Sequence, residues 1–262
     1  MIVSTQRPSS RPKPRAFARR SGGTPVFRRL RHNVAFTAAA AALLLTTAAL
    51  AQTTPLPANY QTILNNPDVL VMRVHYGPHE FVPMHDHSDY PTVFVYLNNS
   101  GPVRIDHAPP VNFSVTRPPT HTGAFRIAPG MHERHSITNL SDLPSDFLRV
   151  ELKSIPPHAI KEAFRGDAPK PPYHSTSETV FTNPALHIER DLCVSNEKCT
   201  GRAAENAPSI AVIIPLTPTS PPKANPAIWV PANKDVYDNK EVRAIEGKDE
   251  PYEILRIVLL QH

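Results

Sequence analysis

Two histidines one residue apart, His85 and His87, stand just before the alternating apolar run Thr92-Val93-Phe94-Val95-Tyr96-Leu97. A third, His135, opens the later segment His135-Ser136-Ile137-Thr138-Asn139. In an extended chain residues i and i+2 project from one face, so His85 and His87 can aim two imidazoles at a common point. A third imidazole from a neighbouring strand completes a facial trio for one divalent metal ion. Asp89 continues the same parity and is a candidate fourth ligand, or a hydrogen-bond acceptor behind one; beside Tyr90-Pro91 it reads equally well as a turn residue. His132 is an odd step from His135, which places it on the opposite strand face, where it could assist proton movement. Clustering alone is modest support, because eight of the 13 histidines lie between His75 and His135. A solvated strand end is the plain alternative for the His85–His87 pair.

The formal charge of +5 points toward nucleic acid or an anionic membrane, but its distribution removes that reading. Residues 1–51 carry nine basic side chains and no acid, leaving 19 Lys and Arg against 23 Asp and Glu, a net −4, for the rest. The basic segment followed by the apolar run Val34–Ala51, ending Ala49-Leu50-Ala51, has the form of a cleaved signal peptide. An uncleaved anchor is the alternative. Cleavage implies an exported protein, periplasmic or extracellular, with no stable membrane anchor and no nucleic-acid partner. In such a compartment Cys193 and Cys199, the only cysteines, are expected to form a disulfide.

Proline is abundant (31) and glycine scarce (9). Prolines crowd residues 108–122, 155–173 and 216–231, which excludes those stretches from central strands and helix interiors. Between them lie short runs rich in Val, Ile, Phe and Leu: 69–74, 92–97, 124–127, 147–152, 209–214 and 252–259. No long helical period is present, so the chain reads as all-β. An internal repeat organises it. At a shift of 117, Thr62, Asn66, Pro67, Arg73, Glu80, Pro91 and Val95 fall on Thr179, Asn183, Pro184, Arg190, Glu197, Pro208 and Val212. At a shift of 107, Asp142, Pro144, Leu148 and Arg149 fall on Asp249, Pro251, Leu255 and Arg256. The expected organisation is a signal peptide at 1–51, one β unit at 56–153, a proline-rich linker at 154–175 and a second β unit at 176–262.

The first copy resembles the cupin superfamily. Gly77, His85-Asp86-His87 and Gly101 follow the order of that family's first motif, and Gly123, Pro129, Gly130, His135 and Asn139 follow the second. The glutamate of the first motif is missing, its place falling on Pro91 or Thr92. The resemblance implies two tandem jelly-roll barrels, a bicupin, with His85, His87 and His135 as ligands of one divalent ion (Fe, Mn, Zn, Ni or Cu) per chain. In the second copy Arg202, Ala204 and Val242 occupy the three histidine positions, so that barrel is expected to be degenerate and metal-free. Some three-histidine cupins are dioxygenases, so the resemblance implies a mononuclear oxidoreductase acting on a small oxygenated organic molecule. A non-catalytic metal- or small-ligand-binding module and a cupin isomerase are the alternatives, since no residue stands out as a general base. A homo-oligomer is compatible with the family.

Overall fold

The computed structural model describes residues 55–194, 199, 206–217, 225–243 and 250–260. The expected leader, with the positions of Arg202 and Ala204, lies outside the described residues. Among the described residues no helix is long and apolar enough to cross a membrane.

The chain is all-β. Its N-terminal part supplies β1 (Tyr60–Asn65), β2 (Val69–Tyr76), β3 (Phe81–His87), β4 (Thr92–Tyr96) and β5 (Val103–His107). It continues with β6 (Ser114–Arg117), β7 (Phe125–Ala128), β8 (Glu133–Asn139), β9 (Ser145–Leu152) and β10 (Phe164–Gly166). These strands form two sheets, ordered β1-β2-β9-β4-β7-β10 and β3-β8-β5-β6, with antiparallel pairing throughout. The eight strands β2 to β9 cross from one sheet to the other at every connection except the β5–β6 hairpin, giving the orders β2-β9-β4-β7 and β3-β8-β5-β6, which is the connectivity of a jelly roll. The proline-rich linker is more than a loop: its β10 extends the first sheet by pairing Phe164 with Ile127 and Gly166 with Phe125.

Strand alternation explains the layering. In β9 all eight residues are buried, because the strand is covered on both faces. Leu148, Val150 and Leu152 turn outward from the barrel, while Phe147, Arg149 and Glu151 turn into it. The inward aromatic and apolar residues Tyr60, Met72, Val74, Tyr76, Val82, Tyr96, Val103, Ile137 and Phe147 form the barrel's own core.

The C-terminal part supplies β11 (Thr176–Thr182), β12 (Leu186–Cys193), β13 (Ser209–Pro215), β14 (Ala227–Val230) and β15 (Tyr252–Leu259) in one sheet ordered β11-β12-β15-β13-β14. This order is that of β1-β2-β9-β4-β7 repeated. The lag from β2 to β12 is the 117 residues of the sequence repeat, and that from β9 to β15 is its 107. Among the described residues the C-terminal copy forms this single sheet, with no counterpart of the β3-β8-β5-β6 sheet. One face packs against the outer face of the first barrel sheet: Leu186, Ile188, Ile210, Val212, Leu255 and Ile257 share a buried cluster with Val69, Val71, Val93, Leu148 and Val150. The other face is covered by a 3-10 turn, Val236–Asp238, and the short α1 (Lys240–Arg243). Val242, the repeat counterpart of His135, is buried in that cover beside Ala211, Val230 and Ile254. Cys193, at the end of β12, is disulfide-bonded to Cys199 with their Cα atoms 5.0 Å apart.

Candidate metal centre

His85 and His87 sit on β3 and His135 on β8, and the register sets His85 directly opposite His135. Between Val82 and His85, β3 carries one more residue than β8, a bulge at Pro83-Met84. The bulge reverses the parity, so Val82 and His85 both point inward despite their odd spacing. It also presents the Pro83 carbonyl to His85: Nδ1 donates to it at 2.7 Å, which leaves the lone pair on Nε2.

The three rings converge inside the barrel. Their candidate ligand nitrogens all lie within 4.8 Å of one another, and all three residues are buried. Ring centroids are 4.9 Å apart for His85–His87 and His85–His135, and 5.1 Å for His87–His135. Both nitrogens of His87 and Nδ1 of His135 are buried without a hydrogen-bond partner. Buried polar atoms are ordinarily satisfied, so orphaned nitrogens on two of three converging rings, each ring offering one ligand atom, fit a divalent ion. Burial holds all three imidazoles neutral, as ligands must be. It lowers His85, drives His87 far down with help from the Arg149 charge, and brings His135 to about 3 although Glu133 opposes the shift.

Asp89 and His132 stand outside this trio. Asp89 is exposed in the bend after β3, and His132 is exposed, its Nε2 3.3 Å from Asp86 Oδ1. The carboxylates nearest the centre come instead from β8 and β9. Arg149, fully enclosed, donates from Nη1 to Glu133 Oε2 and from Nε to Glu151 Oε1, each at 2.9 Å. Glu151 also accepts from the Ser88 hydroxyl, and its Oε1 is 3.8 Å from His87 Nδ1, too far for a hydrogen bond. Burial alone would raise Glu133, but the charge and hydrogen bond of Arg149 outweigh it and hold the carboxyl below its ordinary value. Both carboxylates are therefore turned to Arg149, which leaves an all-imidazole donor set. The only sequence signal for this network is the Arg-Val-Glu of β9, two same-parity charges in an apolar strand.

Two phenols complete the inner wall. Tyr60 Oη is 2.8 Å from His85 Nε2 and 2.7 Å from Tyr76 Oη, so Tyr60 donates to the imidazole and accepts from Tyr76. Burial raises both phenols, so each keeps its proton. Asn139 is structural: its Nδ2 donates to the carbonyls of Gly77 and Leu143 at 2.8 and 2.9 Å, closing the loops at that end of β8. A cavity of about 50 Å³ adjoins the centre, lined by His135, Tyr60, Tyr76, Phe94, Tyr96 and Phe147 with the charged Arg117, Arg126, Glu133 and Arg149. Space of that size holds about three or four waters.

No family model matches the chain, and no curated protein matches it. Solved structures do. A cupin domain from Bordetella pertussis Tohama I is 24% identical over 38% of this chain and 97% of its own, with a TM-score of 0.32. The Escherichia coli pirin YhhW, in complex with nickel(II), is 10% identical over 75% of this chain and 89% of its own, with a TM-score of 0.44. A salicylate 1,2-dioxygenase from Pseudaminobacter salicylatoxidans is 11% identical over 76% and 75%, with a TM-score of 0.41.

Proposed function

We propose that this chain is an exported two-cupin protein whose N-terminal barrel binds one divalent metal ion through His85, His87 and His135. In this reading it acts as a mononuclear oxidoreductase of the dioxygenase type on a small oxygenated organic molecule. The observation that carries the metal site is the convergence of three buried, neutral imidazoles whose nitrogens include three with no partner. A bound ion held by neutral ligands alone would keep its full charge to polarise substrate or oxygen.

The chain's own residues define the rest. The Pro83 carbonyl fixes the His85 tautomer, and Arg149 keeps Glu133 and Glu151 occupied and away from the ion. With a metal held on His85 Nε2, the Tyr60 hydroxyl would lose that acceptor and would be free to hydrogen-bond, proton retained, to a ligand in the cavity. The apolar rings around the cavity exclude bulk water from the reacting groups. The C-terminal sheet, lacking histidine at the repeat position of His135, serves as a packing partner. The apolar run at 34–51 supports export followed by cleavage.

Elemental analysis of the purified protein tests the metal: one ion per chain is expected, and two would contradict a metal-free C-terminal copy. His85→Ala, His87→Ala and His135→Ala should each lower metal affinity by about 10-fold or more, since each leaves only two ligands. Oxygen uptake with phenolic and diketone compounds tests the chemistry. Metal at full occupancy without oxygen consumption or product would replace the oxidoreductase with a binding module.

A further inference from the structure

A surface groove of about 390 Å³ touches the histidine trio at His87, separate from the inner cavity, which touches it at His135. The two spaces carry opposite charge. Arg117, Arg126 and Arg149 line the inner cavity against the single carboxylate of Glu133. Asp86, Asp89 and Glu151 line the groove together with His132 and Ser88, and among the described residues no Lys or Arg lines it. Leu70 and Met72 of β2 supply its apolar wall.

The polar groups of the groove run from solvent to the trio. Asp89 and His132 are exposed at the rim. Asp86 is half-buried behind them, its Oδ1 3.3 Å from His132 Nε2 and 3.9 Å from Arg134 Nε. Deeper in, Glu151 is engaged by Arg149 and Ser88. At the inner end stands His87, with a side chain only 1% exposed and two ring nitrogens that have no hydrogen-bond partner. Acidic residues at a rim are by themselves an ordinary solvated surface. An enclosed imidazole with no partner makes this rim the start of a path that ends on a ligand atom.

Electrostatics separates the two approaches. A divalent cation coming through the inner cavity would meet three guanidinium groups, two of them lying over the Tyr96 and Phe94 rings. Through the groove it would meet carboxylate oxygens and an imidazole, donors that can replace its waters in steps. A cleft lined by one sign of charge also concentrates the opposite ion and raises its association rate.

We propose that the groove is the cation-loading route of the trio: Asp86, Asp89 and His132 capture a divalent metal ion from solution and pass it to His87. This rests on the metal-centre reading and gives a role to three residues that are not ligands of the loaded site.

Stopped-flow mixing of the EDTA-treated, desalted full-length chain with cobalt(II) tests the route, read by the visible absorption of the cobalt–imidazole centre. Asp89→Lys alters one exposed side chain in the bend after β3. At about 10 mM ionic strength it should slow cobalt(II) association about fivefold or more, and the difference should shrink below about twofold at about 0.5 M, where exposed charges are screened. Asp142→Lys makes the same change of net charge at an exposed site past the end of β8, whereas His87 lies opposite Glu133 at its start. That variant should keep the wild-type rate. His132→Ala should slow association at both ionic strengths, because it removes a donor atom rather than a fixed charge. An unchanged rate in Asp89→Lys overturns the route, as does equal slowing in Asp142→Lys; an unchanged rate in His132→Ala removes that residue from it. Elemental analysis after equilibration and desalting reads the trio separately. One cobalt per chain with no slowing in Asp89→Lys keeps the trio and removes the route, and a wild-type chain that retains no cobalt removes both.

Discussion

Three imidazoles held neutral by burial make acid the natural antagonist of this centre. The unfolded chain protonates its histidines near the ordinary value of 6.5, whereas the folded chain keeps His135 unprotonated until about 3 and depresses His85 and His87 as well. The unfolded state therefore binds more protons across that window, and stability falls as pH falls from about 6.5 toward 3. Thermal unfolding of the EDTA-treated protein between pH 7 and 4 should show this decline, and His135→Gln should flatten it. Arg149 faces a different penalty. Arg149→Met leaves Glu133 and Glu151 buried without their cation, and should cost about 3–5 kcal/mol in denaturant unfolding at neutral pH. Adding Glu133→Gln and Glu151→Gln should restore part of the loss, because amides tolerate burial better than unpaired carboxylates.

Strands, more than loops, place the chemistry. The bulge in β3 and the direct opposition of His85 and His135 across the β3–β8 pair turn two sequence-distant segments into one site. The parity of His85 and His87 was legible in the sequence because alternation is a local property of extended chain. The bulge was not, since it exists only relative to the partner strand. Asp89 shares that parity in sequence, yet β3 ends at His87 and the chain bends away, so its carboxylate goes to solvent. The strand β10 was hidden for a related reason: it lies in a proline-rich stretch and gains its hydrogen bonds only by docking on the edge of β7. Gly166 sits there because a Cβ would run into the Phe125 ring, which is fully buried. Gly166→Ala should destabilise the fold by about 1–3 kcal/mol through overpacking, read as a lowered unfolding midpoint.

The N-terminal barrel and the C-terminal sheet share one continuous apolar layer. Arg190 crosses it: Nε donates to Glu253 at 2.7 Å, and Nη2 donates to the carbonyls of Gly123 and Asp167, at 3.0 and 2.7 Å. Gly123 is required at its position, with φ at 82° and a would-be Cβ against Glu253. The layer predicts that Ile257→Ala, on the far side from the histidines, costs about 2–5 kcal/mol of stability in denaturant unfolding. Metal stoichiometry in that variant should stay at the wild-type value, since none of the three ligands lies on the C-terminal sheet.

Periodicity and self-similarity in the sequence determined the all-β class, the repeat and the three histidines, because each is a property of neighbours along the chain or of two aligned stretches. The strands β2, β4, β7, β9, β13 and β15 fall where the apolar runs lie, and the lags of 117 and 107 residues reappear between equivalent strands of the two copies. Tertiary structure alone decided the surroundings of the imidazoles. Arg149, Glu133, Glu151, Tyr60 and Tyr76 come from four different strands, and apart from the shared parity of Arg149 and Glu151 on β9 nothing in their own segments marks them as neighbours. Closing the barrel removed them from water, and the need to satisfy each charge and hydroxyl there fixed which groups pair and which face the cavity.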